Sequence, residues 1–147
     1  MNNGDIKCEY KYLEFEKLIR DRNPETIIAS GGEINFEILS KDRKIQLLKE
    51  KLVEEANEVL VAKTNEQIAD EMGDVLDVLY ELIKSMKIKN RHIRRARRLK
   101  AKQRGKFKKG VYCHYVKFPI EVNEKWMEKY KKYKDVSEMN NNKNNRD

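Results

Sequence analysis

Long apolar runs and paired cysteines are absent from this sequence. No stretch approaches the roughly 18 consecutive apolar residues that a membrane-spanning helix requires. Residues 1–10, MNNGDIKCEY, lack the apolar segment of a secretory signal. Cys8 and Cys113 are isolated and match no metal-ligand spacing. These absences argue against a membrane protein and against a disulfide-stabilised one, and they favour a reduced, cytoplasmic setting.

Apolar residues are scarce: they make up 39% of the 147 residues, the same share as the charged residues. A chain of this length forms one domain that can bury a core, but a core built from so few apolar side chains is small. We therefore expect an oligomer interface to complete it.

Acidic residues are absent from residues 82–120, whereas fourteen lysines and arginines lie in residues 84–109, called here the basic segment. A net charge of +8 accompanies this segment and favours an anionic partner: nucleic acid, nucleotide or phosphate. A solvated basic helix face is the simpler explanation of many of these charges.

Capping residues and apolar spacing predict two long helices in the middle of the chain. Ser40 can cap a helix over residues 41–62, and Thr64 with Gln67 can form a capping box for a helix that ends near residue 86. Shorter helices are expected to start at Pro24 and at Asn90. Alternation of apolar and polar residues predicts strands over three segments: 6–12, 34–38 and 109–118.

Two acidic pairs lie in these long helices, Glu55 with Glu58 and Glu71 with Asp74. Each pair is spaced i, i+3, which places both side chains on one helix face. A hairpin of the two helices would aim four carboxylates at one point, where they would repel each other unless a hard divalent cation such as Mg²⁺ or Mn²⁺ lay between them. A solvated acidic face is the alternative, but Glu55 falls inside an apolar stripe, where a carboxylate needs a partner or a metal.

The acidic pairs and their flanks resemble a known family. EEANE, an interval of twelve residues and EMGD are similar to the EExxE…ExxD signature of the all-α nucleoside triphosphate pyrophosphohydrolases, the MazG-like superfamily. FEKLIRDRNPETI and KQRGKFKKGVY resemble the flanks of its phosphoribosyl-ATP pyrophosphohydrolase-like subgroup, and together the similarity covers residues 15–112. Two positions depart from the pattern: Asn23 replaces a hydrophobic residue before Pro24, and Gln103 stands where a lysine is expected before Arg104.

The resemblance implies a mainly α fold, a MazG-like helical bundle completed by oligomerisation as a homodimer or homotetramer, with short peripheral strands. The pyrophosphohydrolase domain would span residues 15–116, after an N-terminal extension of residues 1–14. A C-terminal extension with a short helix would follow over residues 117–136. The composition of residues 137–147 predicts a disordered tail.

The resemblance also implies hydrolysis of a nucleoside triphosphate to the monophosphate and pyrophosphate, with Mg²⁺ as cofactor or Mn²⁺ in its place. Phosphoribosyl-ATP is the alternative substrate. The implied metal ligands are Glu55, Glu58, Glu71 and Asp74; the implied catalytic carboxylates are Glu54, Glu55 and Glu58; and the candidate phosphate contacts are Lys17, Arg20, Lys100 and Arg104. A hypothesis of a different class is that the protein binds nucleic acid through the basic segment.

Overall fold

Four α-helices and one turn of 3₁₀-helix make up the regular structure of the part of the chain that is described, residues 11–116 of a computed structural model. They are α1 (Asn23–Ala29), α2 (Lys41–Val61), α3 (Asn65–Ser85) and α4 (Asn90–Arg104). The mainly α fold expected from the sequence is confirmed. The expected short helix and the expected disordered tail of the C-terminal region lie outside the described residues.

The expected peripheral strands are wrong for the segments that the structure describes. Residues 32–40 run without regular structure between α1 and α2. Phe107–Lys109 form one turn of 3₁₀-helix that ends at Gly110 with a φ of 58°, and residues 111–116 form no strand. A strand needs a neighbour that accepts its backbone hydrogen bonds, and within residues 11–116 these segments find none. The predicted strand over residues 6–12 lies mostly outside the described part.

Side-chain caps begin α2 and α3 at the positions that the sequence predicts. Ser40 Oγ accepts a hydrogen bond from the backbone N–H of Arg43 at 3.4 Å. Thr64 Oγ1 accepts one from the backbone N–H of Gln67 at 3.2 Å, and Gln67 Oε1 accepts one from the backbone N–H of Thr64 at 3.3 Å, which completes a capping box. Because the connection between the helices is short, α3 folds back on α2 as a helical hairpin.

The hairpin of α2 and α3 is the one pair of helices that pack together within residues 11–116. Leu48 is its one buried apolar side chain in that range, with 3% of its surface exposed. Val59 and Val75 are partly buried. Four large hydrophobic side chains of α3 remain exposed in the single chain: Met72, Leu76, Leu79 and Tyr80. The small core agrees with the low apolar content, and its completion by a second subunit stays a prediction.

The basic helix α4 packs against no other helix of the described part. Eight of its fifteen residues are lysine or arginine, and none is acidic. No helix in residues 11–116 has the length and apolar character needed to cross a membrane.

Candidate metal centre

Three carboxylates meet where α2 faces α3. Oxygen atoms of Glu55, Glu71 and Asp74 all lie within 4.8 Å of one another. Glu55 comes from α2, while Glu71 and Asp74 occupy successive turns of α3 because they are three residues apart. The hairpin therefore brings together three of the four carboxylates that the sequence analysis grouped.

Glu55 is a buried carboxylate, with 3% of its surface exposed. Its Oε1 forms an ion pair with Lys51 Nζ at 2.6 Å. Its Oε2 is also buried but has no hydrogen-bond partner in the described part of the chain. A buried charged oxygen left without a partner costs on the order of 1–3 kcal/mol or more. A divalent cation held by carboxylate oxygens would supply the missing partner, so the residues present fit such an ion.

Glu58 adjoins this group from α2. Loss of solvation raises the pKa of Glu71, and the neighbouring carboxylate of Glu58 raises it further, followed by the charges of Asp74 and Glu55. Like charges crowded in this way disfavour the ionised form, and a cation between them would relieve the repulsion. Three of the four predicted metal ligands therefore form one group, and the fourth, Glu58, lies beside Glu71.

Glu54 lies on the same turn of α2 but is held by two lysines. Its Oε1 is 3.0 Å from Lys17 Nζ and 3.0 Å from Lys51 Nζ. Partial burial raises the pKa of Glu54, but the hydrogen bonds from Lys17 and Lys51 outweigh it and leave that pKa lowered. Glu54 is therefore ionised at neutral pH, and Lys17, a candidate phosphate contact, lies at the edge of the carboxylate group.

Arg20 reaches the same region from the segment before α1. Its Nη2 donates to Asp74 Oδ1 at 2.6 Å and its Nη1 donates to Asp77 Oδ2 at 3.1 Å. The hydrogen bond with Asp77, followed by the charge of Asp74, raises the pKa of Arg20, so the guanidinium is always charged. The structure thus places Arg20 directly against one of the predicted metal ligands.

Lys100 and Arg104 are not brought to the carboxylates. Both belong to α4, which packs against no other helix of residues 11–116, and neither forms an ion pair there with an acidic side chain. Their role as phosphate contacts stays a prediction.

Two residues of the site were missed by the sequence analysis, Lys51 and Asp77. Partial burial lowers the pKa of Lys51, but hydrogen bonds to Glu55 and Glu54 outweigh it and leave that pKa raised. Helical spacing was the available signal, since Lys51 precedes Glu55 by four residues and Asp77 follows Asp74 by three.

Comparison with known proteins gives one match. The sequence model of a family described as "Phosphoribosyl-ATP pyrophosphohydrolase" matches residues 13–98, more than half of the chain. This range contains the carboxylate group and both Lys17 and Arg20, and it ends before Lys100. No curated protein and no solved structure matches the chain.

Proposed function

Because the chain belongs to the phosphoribosyl-ATP pyrophosphohydrolase family of the MazG-like superfamily, and is therefore a nucleotide pyrophosphohydrolase, we propose that its substrate is a nucleoside triphosphate. The products are the nucleoside monophosphate and pyrophosphate, released by hydrolysis of the bond between the α- and β-phosphates. Phosphoribosyl-ATP, which carries the same triphosphate group, is the alternative substrate. The convergence of Glu55, Glu71 and Asp74, together with the buried and unpartnered Oε2 of Glu55, is the observation that supports this proposal best.

Glu55, Glu71 and Asp74 would hold a divalent cation, with Glu58 as the fourth ligand. Carboxylate oxygens suit Mg²⁺ first and Mn²⁺ as a substitute. When bound, the cation supplies positive charge that offsets the charge developing on the phosphate oxygens. The same positive charge would relieve the crowding of carboxylates that raises the pKa of Glu71.

The remaining charged residues would have separate roles in binding the triphosphate and activating water. Lys17 and Arg20 lie at the edge of the carboxylate group and would exchange a carboxylate for a phosphate oxygen when the substrate enters. The guanidinium of Arg20 presents two parallel N–H donors, a geometry that matches a phosphate. Glu54 would orient the attacking water and accept its proton. A residue in this role must be ionised, and Glu54 is ionised at neutral pH.

A panel of substrates tests the reaction and its specificity together. Pyrophosphate release is measured with Mg²⁺ for ribo- and deoxyribonucleoside triphosphates and for phosphoribosyl-ATP. We expect a nucleoside triphosphate to have the highest kcat/KM, with the monophosphate formed in equal amount. A higher kcat/KM for phosphoribosyl-ATP would assign the alternative substrate. Release of single phosphates in place of pyrophosphate would contradict the proposal.

Self-association belongs to the same proposal. Met72, Leu76 and Leu79 present an apolar face of α3 to solvent in the single chain, with 54%, 50% and 37% of their surfaces exposed. A homodimer or homotetramer would bury such a face. Sedimentation equilibrium of the full chain distinguishes the two assemblies, and a monomer at micromolar concentration would contradict both.

Nucleic-acid binding through α4 is a second candidate function, of a different class. It is supported by eight basic residues in one exposed helix, none of which forms an ion pair within residues 11–116. Such a surface would neutralise backbone phosphates and release counterions, so its affinity would fall steeply between about 50 mM and 200 mM salt. Fluorescence anisotropy with labelled DNA and RNA tests this. Binding that survives Glu58→Gln but is lost in an Arg94→Gln, Arg95→Gln, Arg98→Gln triple variant would support it, whereas no binding at low salt would contradict it.

A further inference from the structure

We propose that Lys51 is a positioning residue of the cation site: its ammonium group fixes one carboxylate oxygen of Glu55 so that the other oxygen stays available to the cation. This inference rests on the proposed function. It starts from the contrast between the two oxygens of Glu55, because Oε1 lies 2.6 Å from Lys51 Nζ whereas Oε2 is buried and has no partner within residues 11–116.

Helix geometry places the two residues correctly for this role. Lys51 is four residues before Glu55, so both side chains project from the same face of α2 on neighbouring turns. A glutamate side chain otherwise rotates about several bonds, and burying it in one conformation costs conformational entropy. An ion pair of 2.6 Å to one oxygen favours one conformation of the carboxylate.

Lys51 is itself held in place by a second contact. Its Nζ lies 3.0 Å from Glu54 Oε1, and the same oxygen lies 3.0 Å from Lys17 Nζ. The side chain of Lys51 is only 19% exposed, so solvent competes weakly for its ammonium group. A continuous series of ion pairs therefore runs from Lys17 through Glu54 and Lys51 to the buried Glu55.

A positioning role and simple charge repulsion predict opposite changes in cation affinity when Lys51 is replaced. An ammonium group next to a cation site repels the cation, so removal of a lysine that acts by charge alone would tighten cation binding. Removal of a lysine that fixes a ligand would weaken binding, because partners of metal ligands are worth about 10–100-fold in metal affinity. The sign of the change therefore separates the two roles.

The probe is Mn²⁺ alone, whose free concentration is followed by electron paramagnetic resonance in the absence of nucleotide. The full chain is compared with Lys51→Met and with a matched control, Lys44→Met. Lys44 is also on α2 and pairs with a carboxylate, Glu81 Oε1 at 2.8 Å, which is outside the carboxylate group. We expect the Kd for Mn²⁺ to rise at least about tenfold in Lys51→Met and to change less than about twofold in Lys44→Met. Circular dichroism checks the helix content of each variant.

An unchanged or lower Kd in folded Lys51→Met would overturn the inference while leaving the proposed function intact. If that variant does not fold, Lys51→Leu takes its place, because its side chain is also neutral and cannot donate to Glu55 Oε1. Binding weaker than in the wild type supports positioning there, and binding as tight or tighter overturns it. Failure of the wild-type protein to bind Mn²⁺ would overturn the proposed function and this inference together.

Discussion

Arg20 Nη2 donates a hydrogen bond to Asp74 Oδ1 at 2.6 Å, although 54 residues separate the two along the chain. The same guanidinium donates to Asp77 Oδ2 at 3.1 Å. These two hydrogen bonds hold the irregular segment before α1 against the face of α3 that carries Glu71 and Asp74. A triphosphate that reached a cation on those carboxylates would therefore meet a guanidinium already beside it.

Arg20→Gln should raise the KM for the nucleotide more than it lowers kcat. Loss of one hydrogen bond between charged groups, worth about 1.5 kcal/mol, corresponds to about a tenfold change. Arg22→Gln is the matched control, because Arg22 lies in the same segment and forms no ion pair within residues 11–116. Steady-state kinetics of both variants check this. An unchanged KM in Arg20→Gln together with a lower melting temperature would assign Arg20 a purely structural role.

As the pH falls, cation binding should begin to weaken at a higher pH than it would if Glu71 had the usual glutamate pKa. The pKa of Glu71 is raised by loss of solvation and then by Glu58, and a protonated carboxyl group does not ligate a cation. We expect the Kd for Mn²⁺ to rise as the pH falls from about 7 towards the usual glutamate pKa near 4. Titration of the wild type and of Glu71→Gln measures this. A wild-type Kd that stays constant down to that usual pKa would contradict the assignment.

The same raised pKa predicts how the metal-free protein responds to acid. Because Glu71 binds its proton more readily in the folded state than in the unfolded state, its contribution to stability is unfavourable at neutral pH. That penalty should disappear as the pH falls through the raised pKa. In urea unfolding without metal, the free energy of unfolding of Glu71→Gln should therefore lack the pH-dependent contribution that Glu71 makes in the wild type. Identical pH profiles for the two proteins would contradict the prediction.

A cross-hairpin ion pair should have the opposite dependence on pH. The hydrogen bond from Lys44 Nζ to Glu81 Oε1, at 2.8 Å, lowers the pKa of Glu81 despite partial burial. Its contribution to stability is present above the unfolded pKa of glutamate and is lost as the pH falls through the lowered folded pKa. Because both side chains are substantially exposed, we expect Lys44→Met to cost only about 0.5 kcal/mol at neutral pH.

Urea unfolding at neutral and acidic pH measures this cost. Lys49→Met is the control, because Lys49 is exposed on α2 and forms no ion pair within residues 11–116. A cost in Lys44→Met that persists in acid, or that equals the cost in Lys49→Met, would show that the pair contributes nothing specific.

Thr64→Ala should destabilise the hairpin by about 1 kcal/mol, because it removes the oxygen that accepts from the backbone of Gln67 at the start of α3. Ser40→Ala should cost less, since the corresponding bond at the start of α2 is longer, 3.4 Å against 3.2 Å. Thermal unfolding of both variants checks the order. A larger loss in Ser40→Ala would contradict it.

Local interactions explain why the hairpin could be predicted from the sequence. Caps such as Thr64 with Gln67 act within one helical turn, and the acidic pairs act over i, i+3, so both can be found in a short window. The burial of Glu55 followed from its place in the apolar stripe of α2, and the structure confirms it.

Features that depend on contacts between distant segments of the chain could not be predicted from the sequence. Alternation over residues 34–38 is compatible with a strand, but a strand forms only when a second segment pairs with it. The partner of Arg20 depends on how the segment before α1 lies against α3, which no spacing reveals. Lys51 could not be singled out from its spacing, because a lysine four residues before a glutamate usually forms a solvated pair with it. Only the buried position of Glu55 makes this pair different.

Pyrophosphate release by the carboxylate variants tests the central claim most directly. Glu58→Gln and Asp74→Asn are compared with Glu50→Gln and Asp70→Asn, matched changes at exposed positions of the same two helices. The wild type and both controls should release pyrophosphate from a nucleotide with Mg²⁺, and the two site variants should lose at least about a hundredfold in rate. Full activity in Glu58→Gln and Asp74→Asn, or no release of pyrophosphate from any nucleotide by the folded wild type with Mg²⁺ present, would contradict it.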